Sequence, residues 1–180
     1  MAAQAQGRAM TGRAAALTVM AIALALIIFT IAAKPMPRLL WNASGSVPIG
    51  LYGIAAPGKL AIGDLVVVIP PKPLAAFLAS RGYLPLGVPL IKHVFALPGQ
   101  SVCRNGLLVA VDGIAAGRAL AHDWRGRALP AWHGCRVITS GEVFLMNSDE
   151  AASFDGRYFG PIPRSAIVGR ALPLWTLAKR

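Results

Sequence analysis

The hydrophobic pattern of the chain changes sharply after its first fifth. Residues 14–33 form a continuous apolar run without a charged side chain, whereas later apolar residues come in short runs broken by glycine and proline. The twenty residues of this run would rise roughly 30 Å as a helix, the thickness of the hydrocarbon core of a bilayer. The run therefore favours a membrane anchor.

Two other interpretations of the run remain open. A cleaved signal peptide has a shorter apolar region that ends in a small-x-small exit, and Ile31 fits the outer small position poorly. A helix of a soluble core carries a polar stripe, but this run has no polar side chains besides two threonines. We divide the chain into a cytoplasmic tail (1–13), a transmembrane anchor (14–33), a linker (34–41) and a soluble domain (42–180).

Beyond the anchor, the pattern predicts a mostly β domain. Short runs that alternate or are rich in β-branched residues are typical of strands. We expect strands at 51–54, 63–69, 90–97, 109–112, 142–146 and 166–176. One short helix is predicted over 73–81, because proline stands at its start and Gly82 follows its end. The fold class is thus an N-terminal transmembrane helix followed by a β-rich domain.

Charge adds little to this picture. The net charge of +11 suggests nucleic-acid binding, but the basic residues are scattered, with no run of three and no interleaved aromatic residues. A cationic face near anionic lipid headgroups, or simply solubility, accounts for the charge equally well. We expect membrane lipids rather than nucleic acid as a partner.

The two cysteines indicate the compartment. Cys103 and Cys135 both lie in the predicted soluble domain, and a disulfide between them would staple a loop and require an oxidising environment. Closing a loop of about thirty residues stabilises a domain by about 3–4 kcal/mol. Buried free thiols are the alternative. A metal site is disfavoured, because His122, His133 and Cys135 lack the paired short spacings of zinc ligands.

The orientation of the anchor depends on these cysteines. Arg8 and Arg13 precede the apolar run, and Lys34 and Arg38 follow it, so the positive-inside rule is close to a tie. The predicted disulfide favours an oxidising side for the domain. We therefore expect a single-pass protein of the bacterial inner membrane with its soluble domain, residues 42–180, in the periplasm.

The main candidate for catalysis is a serine paired with a lysine. Ser44 and Ser46 flank a glycine in a stretch of small and turn-forming residues. A serine hydroxyl becomes nucleophilic when a base takes its proton, and lysine can be that base if burial keeps it neutral. Lys92 lies between Leu90 and Val94 on one face of a predicted strand. Ser46 could then form an ester with a peptide carbonyl, with its own N–H and the Ser44 hydroxyl stabilising the oxyanion.

Two alternatives compete with this pair. Lys92 could be an ordinary surface lysine whose stem snorkels over apolar neighbours. The base for Ser46 could instead be a histidine. His93 would point away from the Lys92 face of a regular strand. His122 and His133 belong to a polar loop that the sequence predicts over residues 115–135, stapled by the cysteines.

The order of these motifs resembles the type I signal peptidase family. The matching segments are Ser44-Gly-Ser-Val-Pro48, Gly63-Asp-Leu-Val-Val67, Ile91-Lys-His-Val-Phe-Ala-Leu-Pro-Gly99, Asn147, Ser153-Phe-Asp-Gly-Arg-Tyr-Phe-Gly160 and Val168-Gly-Arg-Ala171. The resemblance covers Asn42 to about Thr176. It implies a signal-peptidase-like catalytic domain that needs no metal or organic cofactor.

The resemblance also implies residue roles. It makes Ser46 the nucleophile, Lys92 the general base, Ser44 an oxyanion donor, Ser153 the residue that orients the Lys92 amine, and Asp155 with Arg157 a salt bridge that shapes the site. A plain surface ion pair, worth under about 1 kcal/mol, is the alternative for Asp155 and Arg157. Asn147 matches an asparagine of the family's Gly-Asp-Asn element, but Leu145 and Met146 replace the first two residues, which leaves its role open.

Four features are similar to the TraF-type branch of conjugative transfer systems: the segment Pro48-Ile-Gly-Leu-Tyr52, the single span, the short middle region and the loop Arg81-Gly-Tyr-Leu-Pro85. That branch implies a serine endopeptidase that processes, and in some members cyclises, a membrane-bound pilin precursor through an acyl-enzyme. The alternatives are a general signal peptidase that cuts signal peptides of exported proteins, a non-catalytic anchored scaffold of a conjugation machine, and a DNA-binding component.

Overall fold

The computed structural model describes the backbone of residues 3–33 and 38–177, and the side chains of residues 12–31 and 38–177. The chain divides into two units, residues 1–37 and residues 38–180. Each unit is described by itself.

The described part of the first unit is one long helix, α1 (Ala3–Ala33). Its segment Gly12–Ile31 has a mean hydropathy of 2.7, and none of this segment is buried. The helix is therefore long and apolar enough to cross a membrane, and it does not pack as a core helix. The Thr18 and Thr30 hydroxyls donate to the carbonyls of Ala14 and Ile27, so even the polar side chains of the run have partners within the helix.

Over residues 38–177, the second unit contains two antiparallel sheets and two short helices. Its strands are β1 (Leu39–Asn42), β2 (Gly50–Ala55), β3 (Leu65–Val68), β4 (Leu90–Ala96), β5 (Ser101–Asn105), β6 (Leu108–Val111), β7 (Ile114–Arg118), β8 (Gly134–Val137), β9 (Glu142–Leu145), β10 (Ile162–Pro163) and β11 (Ile167–Thr176). The helices are α2 (Lys72–Ser80) and α3 (Gly156–Phe159), with one 3-10 turn at Arg164–Ala166. The mostly β fold class is confirmed.

The larger sheet carries the strands on which the site is built. Its seven strands run in the order β1-β2-β11-β3-β4-β9-β10. Strand β3 is central, and its three valines, Val66, Val67 and Val68, are at most 1% exposed. The β-branched run predicted as a buried strand thus packs on both faces, because one apolar cluster lies on either side of the sheet.

The smaller sheet, in the order β7-β6-β5-β8, was only partly predicted. The sequence predicts strand β6 and its turn, and Asp112 and Gly113 both have the positive φ of a tight hairpin. The predicted loop over 115–135 is wrong at both ends, where β7 and β8 pair with β6 and β5. Strand β8 is exposed along its whole length, so it has no hydrophobic alternation from which to predict it.

The predicted disulfide is confirmed in this sheet. Cys103 of β5 and Cys135 of β8 lie directly opposite each other and are bonded, with Cα atoms 3.9 Å apart. The bridge therefore joins two paired strands rather than stapling a free loop.

The predicted linker over 34–41 ends earlier than expected. Residues 34–37 lie outside the described residues, and β1 begins at Leu39, where it pairs with Gly53 of β2. Trp41 stacks on Trp175 of β11 with ring centroids 5.9 Å apart. The stacking of Trp41 and the pairing with β2 explain why the end of the predicted linker forms strand β1.

Candidate active site

The serine pair lies in the turn between β1 and β2. The hydroxyls of Ser44 and Ser46 are 3.1 Å apart and hydrogen-bonded. Val47, which follows Ser46, is 3% exposed and packs in an apolar cluster with Tyr52. The Tyr52 hydroxyl donates to the Pro48 carbonyl at 2.6 Å. The turn is therefore anchored on its inner side while Ser44 stays exposed and Ser46 half-buried.

Lys92 is buried in the middle of β4. It is 3% exposed, and its Nζ donates to the Ser153 hydroxyl at 2.6 Å. Burial lowers the pKa of Lys92 to about 8, opposed by the Asp155 carboxylate and reinforced by the Arg157 guanidinium. The surface-lysine alternative is therefore wrong. At neutral pH a substantial minority of Lys92 carries a free lone pair.

Asp155 and Arg157 form a buried pair beside Ser153, so the surface ion-pair alternative is also wrong. Their side chains are 0% and 2% exposed. Arg157 Nε and Nη2 each donate to one carboxylate oxygen at 2.9 Å, the bidentate geometry that makes such pairs strong. Nη2 also donates to the Ser153 carbonyl at 3.2 Å. The pair thus holds the segment that presents the Ser153 hydroxyl to Lys92.

Gly156 allows this buried pair to lie against β9. A Cβ atom at this position would be 2.6 Å from the Leu145 carbonyl oxygen and equally close to the Phe144 ring. A larger residue would push α3 away from the strand and move Asp155 and Arg157 with it.

Asn147, whose role the sequence left open, bridges three parts of the site. Its Nδ2 donates to the Ser46 carbonyl at 3.0 Å and to the Ile91 carbonyl at 3.3 Å. Its Oδ1 accepts from the His93 N–H, and its own N–H donates to Asp155. Asn147 therefore joins the serine turn, β4 and the buried pair. The signal available in the sequence was its match to the asparagine of a Gly-Asp-Asn element.

Asn42 is a second residue that the sequence did not assign. Its side-chain amide contacts Ser44, Val47 and Pro48 in the serine turn. Its only signal in the sequence is that the segment resembling signal peptidases begins at this residue.

One cavity of about 780 Å³ contains both members of the proposed pair. Ser46, Lys92 and Ser153 all line it, and its walls are largely apolar. Four parts of the domain supply the apolar wall residues. They are α2 with the segment after it (Leu78 and Leu84), β4 (Leu90), the β7–β8 connection (Leu120 and Leu129) and the segment before α3 (Phe154). A largely apolar cavity of this size suits a ligand with apolar groups.

A cluster of three side chains, Tyr83, Asp123 and Arg127, ties two walls of this cavity together; we call it the clasp. The Tyr83 hydroxyl donates to Asp123 Oδ2 at 2.5 Å, and Arg127 Nε donates to the same oxygen at 2.8 Å. Arg127 also donates to the Arg81 carbonyl. Burial alone would raise the pKa of Asp123, but these hydrogen bonds lower it. The clasp therefore keeps an anion between α2 and the β7–β8 connection.

The three histidines occupy different positions. His93 Nδ1 lies 3.1 Å from Asn147 Oδ1, His133 is exposed, and His122 lines the cavity. Of the histidines, only His122 shares the cavity with Ser46. Across residues 3–33 and 38–177, no group of three or more His, Cys, Asp or Glu side chains could hold a metal ion.

Comparisons with known proteins point in the same direction as the motifs. The family described as "Signal peptidase, peptidase S26" matches residues 11–175. The chain is 41% identical to "Conjugal transfer protein TraF" of Agrobacterium fabrum, over 75% of this chain and 81% of that protein. It is 33% identical to "Plasmid transfer protein TraF" of Escherichia coli, over 70% of this chain and 76% of that protein.

Similarity to signal peptidases covers less of the sequence. The chain is 34% identical to "Probable signal peptidase I-1" of Synechocystis, over 62% of this chain and 52% of that protein. The crystal structure of a signal peptidase I from Enterococcus faecalis aligns with 64% of this chain and 98% of its own, at 18% identity and a TM-score of 0.39.

Proposed function

Because this chain belongs to the signal peptidase S26 family of serine peptidases, we propose that it is a membrane-anchored endopeptidase that uses Ser46 as nucleophile and Lys92 as general base. The observation that carries this proposal is that a buried lysine with a lowered pKa opens into the same cavity as Ser46. For a Ser–His pair, His122 is the histidine that lines the cavity with Ser46. His122 is exposed, whereas Lys92 is buried.

The reaction begins with proton transfer from Ser46 to Lys92. A neutral amine can donate N–H to Ser153 while its lone pair accepts the Ser46 proton, so the hydrogen bond to Ser153 aims the lone pair. The Ser46 Oγ–C bond forms as the carbonyl becomes an oxyanion, which the Ser44 hydroxyl and the Ser46 N–H stabilise. The C–N bond then breaks, and the Lys92 ammonium gives its proton to the departing amine.

The resulting ester can be opened by two nucleophiles. Water gives hydrolysis and a free carboxylate. An amine of the substrate gives a new peptide bond, and a tethered amine can outcompete water because of its high effective concentration. In both cases Lys92 takes the proton of the attacking group and returns it to Ser46 Oγ.

A pilin precursor of a conjugative system is the substrate we propose. The chain matches 81% of the conjugal transfer protein of Agrobacterium fabrum but only 52% of the probable signal peptidase of Synechocystis. This difference in coverage supports a pilin precursor over the signal peptides of exported proteins. The precursor would bind as an extended strand along the cavity.

A membrane location with the domain on the periplasmic side completes the proposal. The disulfide requires an oxidising compartment. Strands β1 and β11 lie on either side of β2 and carry five apolar side chains that are each at least 50% exposed: Leu39, Trp41, Leu172, Leu174 and Trp175. Apolar patches with tryptophan are typical of surfaces that contact lipid headgroups and acyl chains.

Mass spectrometry of pilin from cells that carry Ser46→Ala or Lys92→Ala tests the proposal. We expect precursor to accumulate in both strains and processing to continue with His122→Ala, the matched control. Mature pilin in the Lys92→Ala strain would refute the dyad, and normal transfer with Ser46→Ala would favour the scaffold. Rescue of a strain depleted of its own signal peptidase would identify the general peptidase instead.

A further inference from the structure

Asn42, at the end of β1, is the polar residue most completely engaged with the serine turn. It is 8% exposed. Its Oδ1 accepts from the Ser44 N–H at 3.1 Å and from the Ser44 hydroxyl at 2.9 Å. Its Nδ2 faces the carbonyls of Ser44 at 2.8 Å and of Val47 and Pro48 at 3.1 Å. Both lone pairs and both protons of the amide are therefore in use.

These partners determine which way the amide faces. The reversed orientation would point the NH₂ group at the Ser44 N–H and the oxygen at three carbonyls, which is repulsive on both sides. Asn42 Oδ1 must then be the acceptor, and the Ser44 hydroxyl must be the donor.

The single proton of Ser44 is thereby committed to Asn42. The hydrogen bond of 3.1 Å between the two serine hydroxyls must consequently have Ser46 as its donor and Ser44 as its acceptor. In this resting arrangement a chain of hydrogen bonds runs from Ser46 through Ser44 to Asn42.

We propose that Asn42 is a positioning residue that holds Ser44 Oγ where it serves as oxyanion donor. This inference rests on the peptidase function proposed above. The Ser46 O–H first rotates from Ser44 Oγ towards Lys92 and passes its proton to the amine, and the Ser44 O–H then rotates from Asn42 Oδ1 to the new oxyanion. Rotation about the Cβ–Oγ bond moves the proton but not the oxygen, and the bond from the Ser44 N–H to Asn42 Oδ1 stays in place throughout.

Tyr52 provides a matched control that tests whether Asn42 only stabilises the serine turn. Its hydroxyl also binds the serine turn, at the Pro48 carbonyl, but none of its hydrogen bonds involves Ser44. Tyr52→Phe therefore loosens the same turn without disturbing the Ser44 hydroxyl.

The test is a double-mutant cycle with the full chain in detergent micelles. The substrate is a quenched fluorescent peptide that spans the cleavage site found by mass spectrometry of the mature pilin. We expect Ser44→Ala to lower kcat about 100- to 1,000-fold and Asn42→Ala to lower it about 10- to 100-fold with little change in KM. In the Ser44→Ala background, Asn42→Ala should change kcat less than about twofold, because the Ser44 hydroxyl that Asn42 positions is no longer present. Tyr52→Phe should lower kcat by less than about threefold.

Additive effects of Asn42→Ala and Ser44→Ala would overturn the inference, as would a loss in Tyr52→Phe equal to that in Asn42→Ala. Asn42→Ser, which can keep the bond from the Ser44 N–H, provides the same comparison if Asn42→Ala does not fold. Peptide cleavage that is absent in the wild type or that survives Ser46→Ala would refute the proposed function, an outcome distinct from additivity in an active enzyme.

Discussion

The protonation of Lys92 is the property from which the sharpest prediction follows. If its neutral amine is the general base, the acylation rate must follow the neutral fraction of this one side chain. Raising the pH increases the neutral fraction of Lys92. The variant Lys92→Arg removes the neutral form altogether, because arginine keeps its positive charge in a protein.

The pKa of about 8 sets the size of the effect. The neutral fraction is about 10% at pH 7 and about 90% at pH 9. We therefore expect kcat/KM to rise about tenfold between these pH values and to level off above pH 9. Lys92→Arg should be inactive at every pH.

The same shift makes stability depend on pH. The folded pKa lies below the ordinary value of 10.5, so the unfolded state keeps its proton to higher pH and stability rises as pH increases from about 8 to about 10.5. The full shift corresponds to about 3 kcal/mol, of which about 2 kcal/mol falls between pH 7 and pH 9.5. Lys92→Met lacks this group and should not show this contribution.

Two assays measure these effects on the full chain in micelles. Initial rates of peptide cleavage from pH 6 to pH 10 give the midpoint in kcat/KM. Thermal unfolding over the same range, compared between wild type and Lys92→Met, gives the stability contribution. A rate that is flat across pH 7–9, or measurable cleavage by Lys92→Arg, would refute the assignment of Lys92 as the base.

Three further predictions concern the surroundings of the site. Arg157→Met should lower the free energy of unfolding by about 3–5 kcal/mol, because it leaves a buried carboxylate unpaired; a loss below about 1 kcal/mol in thermal unfolding would contradict the buried pair. Tyr83→Phe removes one hydrogen bond of the clasp to Asp123 and should raise KM more than it lowers kcat in the peptide assay, with the pH midpoint unchanged; a shifted midpoint would mean that the clasp acts on Lys92. Brominated lipids should quench tryptophan fluorescence in proteoliposomes, and replacing Trp41 and Trp175 by phenylalanine should remove most of that quenching; unchanged quenching would place the lipid contact elsewhere.

The sequence by itself determined the features that depend on neighbouring residues. A run of apolar residues is enough to specify the helix that contains residues 14–33, since helical hydrogen bonds are local. The β-branched run in β3 and the Asp112-Gly113 turn likewise carry their own structural preferences. The order of short motifs further along the chain was enough to identify the family.

The tertiary structure decided everything that depends on partners distant in sequence. Strand β8 has no pattern of its own and exists because β5 pairs with it. Asn147 reaches the carbonyl of Ser46, 101 residues away, only because β9 lies beside β4. The depth at which Lys92 is buried, and hence its pKa, is set by the walls that other segments build around it. Burial and strand pairing are properties of the assembled fold, and so the chemistry of this lysine could be suspected from its neighbours in β4 but not established by them.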